Sequence, residues 1–167
     1  MNDKILFAKV KPNAIIPSKR EEDGAYDIYA CFDEDYIEIK PNEAKLIPTG
    51  IASAFDKKYR IVFQERGSTG KISLKVNAGL IDSGFRGEWF VCLNNSSDEI
   101  IRIDKNVNSN TYQNYYGKET VYYPYSKAIC QAKIQEVPIV DIEEIPYEEL
   151  KNIPSERGMG ALGSSNK

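Results

Sequence analysis

The sequence predicts an all-β sandwich or barrel. Three observations carry this. Apolar and polar residues alternate over short runs, the period of a half-buried strand. Turn signals separate the runs at short intervals. No segment sustains three turns of helical periodicity. The chain has 167 residues, enough for one domain with its own core.

In chain order, Ile37 and Ile39 alternate with Glu38 and Lys40. Tyr59, Ile61 and Phe63 alternate with Arg60, Val62 and Gln64, with Val62 breaking the polar side. Ile72, Leu74 and Val76 alternate with Ser73, Lys75 and Asn77. Trp89 to Leu93 is a continuous apolar run, which predicts a strand buried on both faces. Lys11-Pro12-Asn13, Pro41-Asn42, Pro48-Thr49-Gly50 and Asn94-Asn95-Ser96 mark turns. Ile145 to Asn152 can form a short helix at most.

The net charge of −3 gives no support to nucleic-acid binding, which wants a basic face. Three cysteines, Cys31, Cys92 and Cys130, lack C-x-x-C spacing. This suits a reducing, cytoplasmic setting rather than a disulfide framework or zinc site. No apolar run approaches membrane-spanning length, so no membrane is expected, and Ile5 to Ala8 is too short for a signal peptide. The chain has no histidine. Proton transfer near neutral pH falls to a carboxylate, thiol, tyrosine or lysine, and Ser-His or Cys-His nucleophile chemistry is excluded.

One stretch holds a carboxylate between tight turns: Asn77-Ala78-Gly79-Leu80-Ile81-Asp82-Ser83-Gly84-Phe85-Arg86-Gly87. Gly79 is expected to let the backbone approach a ligand. Gly84 and Gly87 are expected to supply positive φ around Phe85. Leu80 and Ile81 should anchor the base in an apolar layer, so that Asp82 projects from a rigid stem. The Phe85 ring can floor a sugar or base. Taken alone, this is an ordinary hairpin with an Asx-turn.

Residues 79–87 resemble the third motif of the trimeric dUTP pyrophosphatases (dUTPases), G-x-I-D-x-x-Y-R-G, with Phe85 at the tyrosine. Four more segments follow in family order. Gly24-Ala25-Tyr26-Asp27-Ile28 is similar to A-G-Y-D-[LI], with the first two residues swapped. Arg66-Gly67-Ser68 is similar to R-S-[GS], with Gly67 in place of the first serine; Ser68 or the amides of this glycine-rich turn can replace its hydroxyl. Ile129-Cys130-Gln131-Ala132 stands against I-A-Q-L. Arg157 to Ser165 stands against R-G-x-x-G-F-G-[ST]-[ST], with Leu162 at the phenylalanine.

The resemblance implies a β jelly-roll homotrimer with shared active sites that hydrolyses dUTP to dUMP and pyrophosphate with Mg²⁺. Asp82 would be the general base. Arg66, Gly67, Ser68, Gln131, Arg157, Gly163, Ser164 and Ser165 would face the phosphates. Asn77, Gly79, Leu80, Ile81, Phe85 and Leu162 would face uracil and deoxyribose, and Asp27 would hold the magnesium through water. Residues 1–153 would form the jelly roll and 154–167 a flexible glycine-rich arm. Asp104 to Tyr125 contains six of the eleven tyrosines and reads as an insertion, as in phage-type members. It would either contact a protein partner or pack on its own subunit as a long hairpin. Two alternatives stand beside this reading. A dCTP deaminase shares the fold, but this chain has Cys92 where that family carries its glutamate. A nucleotide-gated regulatory protein would act through the insertion.

Overall fold

The computed structural model describes residues 4–108 and 120–160. They form twelve strands and two five-residue helices, so the all-β expectation holds. β1 (Leu6–Lys9) pairs antiparallel with β5 (Ile51–Ala54). β3 (Tyr36–Ile39), β10 (Ile100–Asp104) and β11 (Thr120–Pro124) form a second sheet. β4 (Ala44–Pro48), β9 (Phe90–Asn95) and β7 (Leu74–Asn77) form a third. The fourth, in the order β2 (Tyr26–Ile28), β12 (Cys130–Glu136), β6 (Tyr59–Gln64) and β8 (Leu80–Ile81), carries most of the predicted site. The non-consecutive neighbours mean that chemistry from distant parts of the chain meets on one sheet.

Period-two burial places one face of each strand in a common core. Ile61 and Phe63 of β6, Ala132 of β12 and Ile28 of β2 are buried there with Trp89, Leu93, Ile101 and Ile103. Trp89 is fully buried and takes the edges of Phe7 and Phe63 at centroid distances of 5.3 and 5.6 Å.

Several expectations need correction. The apolar run at β9 is buried on one face only: Val91 and Leu93 are buried, whereas Phe90 is 43% exposed. The glycine-rich turn after Arg66 is a short helix, α1 (Gly67–Lys71). Thr69 makes it, because its hydroxyl accepts from the Arg66 N–H and donates to the Arg66 carbonyl, both at 3.0 Å. This satisfies an otherwise orphaned donor at the helix start. Ile72 therefore ends a helix rather than starting a strand.

Among the described residues the compact body ends at Val137, not at residue 153. Residues from Pro138 onward form a separate unit containing α2 (Tyr147–Lys151), the short helix expected there. The stretch read as an insertion, 104–125, ends inside the body. Thr120–Pro124 is β11, paired in parallel with β10 from Ile100↔Thr120 to Asp104↔Pro124. Tyr122, Tyr123 and Tyr125 pack on their own chain: Tyr122 under Arg102, Tyr123 in the core, and Tyr125 edge-on to Phe32. Tyr112, Tyr115 and Tyr116 lie outside the described residues.

Candidate active site

A row across the fourth sheet builds one half of the site. Asp27 on β2 stands opposite Gln131 on β12, which stands opposite Gln64 on β6. Ser18 extends the row through a bridge to Asp27, whose N–H donates to the Ser18 carbonyl at 2.9 Å. Just beyond β6, Arg66 turns back on this row. Its Nε reaches Asp27 Oδ1 at 3.0 Å and its Nη2 reaches Oδ2 at 3.3 Å. Gln131 donates its Nε2–H to the Glu65 carbonyl at 2.7 Å. Its second Nε2–H and its amide oxygen stay available to the clefts that the residue lines.

Two open clefts flank this wall. One, of about 570 Å³, is lined by Asp27, Arg66, Gly67, Ser68, Lys127 and Gln131, among others. The other, of about 680 Å³, shares Asp27, Arg66 and Gln131 and adds Ser18, Lys19 and Arg20. Lys19, Arg20, Ser126 and Lys127 were missed in the sequence because no motif contains them. Only their neighbourhood to Asp27 and Gln131 brings them in.

The other half is the Asp82 turn. Asp82 is exposed, and its carbonyl accepts from the Phe85 N–H at 3.1 Å. Arg86, to which the sequence assigned no role, pins the turn. Its Nη1 donates to the carbonyls of Ser83 at 2.5 Å, Phe85 at 3.0 Å and Ser53 at 3.5 Å. The glycines work differently from expectation. Neither Gly84 nor Gly87 adopts positive φ; Ala78 does, at 48°. Gly87 is bare because the Phe85 ring lies on it, 2.7 Å from where a Cβ would stand. Gly79 is bare because it meets Phe63 rather than a ligand: a Cβ would sit 2.9 Å from the Phe63 Cβ and 3.0 Å from its carbonyl oxygen. The Phe63 N–H donates to the Gly79 carbonyl at 2.7 Å across that approach. Ile81 is buried, but Leu80 is half exposed and does not anchor the loop. Asn77 ends β7 opposite Cys92, exposed.

The two halves do not meet in one chain. Ile81 pairs with Ile61, so the register carries Asp82 toward Arg60. Arg66 lies six residues further along the same extended segment, roughly 20 Å away at the rise of a strand. Neither cleft is lined by Asn77, Asp82 or Phe85.

In the C-terminal unit, Ser155 Oγ accepts from the N–H groups of Arg157 and Gly158. Arg157 Nε donates to the Gly160 carbonyl at 2.8 Å. Leu162, Gly163, Ser164 and Ser165 lie outside the described residues.

Among the described residues no three acidic, cysteine or histidine side chains gather to hold a metal. Asp27 is the one carboxylate among the residues named for the first cleft, and it already receives two guanidinium bonds. Magnesium keeps several waters and commonly binds through one or two carboxylates plus substrate phosphates. The donor set fits such a water-bridged ion.

The dUTPase family model matches residues 11–108. The chain belongs to the dUTPase family. A deoxyuridine 5′-triphosphate nucleotidohydrolase of Nautilia profundicola is 33% identical over 98% of this chain and 99% of its own. The dUTPase of Staphylococcus bacteriophage 80alpha, solved with dUpNHpp, superposes with a TM-score of 0.75 at 20% identity, covering 99% of both chains. A dUTPase of phage phi11 of S. aureus, in which a structural Mg(II) ion is coordinated, has a TM-score of 0.66 at 17% identity, covering 87% of this chain and 99% of its own. At these identities the two phage structures establish the shared fold.

Proposed function

We propose that the protein hydrolyses dUTP to dUMP and pyrophosphate at sites completed between chains of a homotrimer. The observation that carries this reading is the placement of Asp82. It is an exposed carboxylate on a turn pinned by Arg86, at the far end of β6 from a cleft walled by Arg66 and Gln131. A cyclic trimer repeats one head-to-tail contact, and such a contact can bring the Asp82 turn of one chain to the cleft of the next.

In that site Asp82 accepts a proton from water as the water oxygen attacks the α-phosphorus. The bond to the bridging oxygen breaks and pyrophosphate departs with the electron pair. A positioned base of this kind typically contributes ~10²–10⁴ in rate. Arg66, Ser68 and the second N–H of the Gln131 amide face the charge that develops on the phosphates. By the family resemblance, Arg157, Gly163, Ser164 and Ser165 would bind the phosphates and Leu162 would exclude water. Asp27 would hold Mg²⁺ through water, and the ion would supply charge neutralisation on the triphosphate. The exposed ring of Phe85, braced on Gly87, floors the deoxyribose where a 2′-hydroxyl would clash. The main chain near Gly79, with Asn77, Leu80 and Ile81 around it, reads uracil.

The test is incubation with dUTP, dCTP, dTTP and UTP, with and without Mg²⁺, followed by product analysis. Pyrophosphate from dUTP alone supports the reading; ammonia from dCTP overturns it in favour of a deaminase. A second role, binding a protein partner, is favoured by one observation. Residues 105–119, which join two parallel strands, are rich in tyrosine and asparagine, a composition suited to protein contacts.

A further inference from the structure

Tyr123 is a buried phenol, 1% exposed, on the strand that follows the tyrosine-rich connection. It has one proton, and that proton goes to the Ala128 carbonyl at 2.6 Å. Ser68 Oγ lies 3.4 Å from the same phenol oxygen, so the serine is the donor in that contact. Ser68 and Ala128 both line the cleft that holds Arg66 and Gln131. A single hydroxyl thus ties two walls that come from different parts of the chain, the α1 turn and the 124–128 turn. Burial pushes the phenol above its ordinary value, so it keeps its proton throughout the neutral range.

The departure at Gly67 makes this tie matter. The family pattern places a serine there, and this chain has none. Thr69 is buried and spent on the Arg66 main chain. Ser68 is the hydroxyl that α1 presents to the cleft.

We propose that Tyr123 is a positioning residue of the phosphate cleft, setting the spacing between Ser68 on one wall and the main chain at Ala128 on the other. The proposal rests on the reading of this cleft as the triphosphate site. Two effects oppose each other in Tyr123→Phe. The Ser68 hydroxyl is released from the phenol, which favours its turning to a phosphate. The Ala128 carbonyl, in a residue 1% exposed, loses its phenol donor, and the 124–128 turn must shift to find another. An unmade buried hydrogen bond outweighs a long, partly buried one, so binding weakens.

The experiment is titration calorimetry of the full-length protein with Mg²⁺ and dUpNHpp, and separately with dUMP. Tyr123→Phe is expected to bind dUpNHpp roughly five- to tenfold more weakly and dUMP within about twofold of wild type. Combined with Ser68→Ala, the two losses should fall short of their product, because both changes act on one spacing. Unchanged or tighter dUpNHpp binding, equal losses for both nucleotides, or fully multiplicative losses would each overturn the proposal. Should Tyr123→Phe fail to fold, Ser68→Ala carries the test, since Ser68 is exposed. It must show the same triphosphate-selective loss, and wild-type binding by Ser68→Ala overturns the proposal. A wild-type protein that binds neither nucleotide overturns the reading of the cleft itself, a separate outcome.

Discussion

Arg66 grips Asp27 with two guanidinium nitrogens, at 3.0 and 3.3 Å, and so joins the end of β6 to β2 across the strand that carries Gln131. Both side chains are about a third exposed, at 30% and 33%. Solvent screens such a pair, and it contributes at most about 1 kcal/mol to folding. Its value lies in orientation. A fork held flat by one carboxylate presents its remaining N–H groups to the cleft in a fixed plane.

Arg66→Lys keeps the charge and loses the fork. The expected outcome is a thermal midpoint within a few degrees of wild type and an affinity for dUpNHpp at least tenfold weaker. Calorimetric binding beside a thermal melt measures both. Equal affinity in the lysine variant would show that only charge matters there.

Asp82→Asn keeps the size of the side chain and removes the basic lone pair. kcat should fall roughly 10²–10⁴-fold with KM little changed, because the carboxylate acts on the water rather than on the nucleotide. Steady-state pyrophosphate release checks this. Turnover near the wild-type rate would remove Asp82 as the base.

Glu65 gives a prediction about pH. Its Oε1 accepts from the Val76 N–H at 2.9 Å, tying the end of β6 to β7. That bond above all, then a bond to its own N–H, and the nearby Lys75 charge hold its carboxyl below the usual glutamate range. A carboxylate whose folded value is depressed stabilises the fold above its unfolded value, about 4.3, and loses that contribution as pH falls through the folded one. Glu65→Gln should therefore be less stable than wild type at pH 7, and the gap should narrow as pH drops below about 4. Denaturant midpoints at the two pH values decide it. A gap that stays constant or widens on acidification contradicts the assignment.

The connection between β10 and β11 can be shortened, but not to a hairpin. Parallel strands need a crossover, and this one must return along a five-residue strand, roughly 16 Å. Replacing residues 109–119 by an eight-residue Gly/Ser linker should preserve folding and hydrolysis and abolish binding to any protein partner of this segment. A two-residue turn in the same place should lower the melting midpoint, because the residues left between the strands fall well short of the dozen or so that a crossover between parallel strands takes.

Much of the site was legible because its residues stand in short motifs. Asp27, Arg66 and Gln131 were named from three segments, and the sheet brings all three to one wall. The strands at Tyr59–Gln64 and Leu74–Asn77 were visible in their period-two pattern. What escaped the sequence depends on contacts that no local pattern encodes. The helix α1 is too short to show a period and rests on the single Thr69 hydroxyl. Gly79 and Gly87 suggested ligand contact and turn strain. They instead answer to Phe63 and Phe85, and Ala78 takes the positive φ. Tyr123 fell within a stretch read as an insertion that either contacts a partner or packs on its own subunit, and composition does not decide between the two. Its burial follows from pairing with β10 and from an acceptor five residues further on.

The separation of Asp82 from Arg66 along β6 leads to a test of how the site is shared. Asp82→Asn chains have an intact cleft and no base. Arg66→Ala chains have the base and a damaged cleft. If each site takes its base from one chain and its cleft from the next around a three-fold ring, each homotrimer is nearly inactive. In a mixed trimer of either composition, going round the ring, there is one junction where an Asp82-bearing chain meets an Arg66-bearing chain on the correct side. Co-assembly from unfolded chains should therefore recover activity in up to about a third of the sites in mixed trimers. Mixing the folded parents without subunit exchange should recover none. Mass spectrometry establishes the mixed composition, and pyrophosphate release measures the recovery. Mixed trimers as inactive as their parents would place the base and the cleft of each site on the same chain, against the roughly 20 Å that the β6 register sets between them.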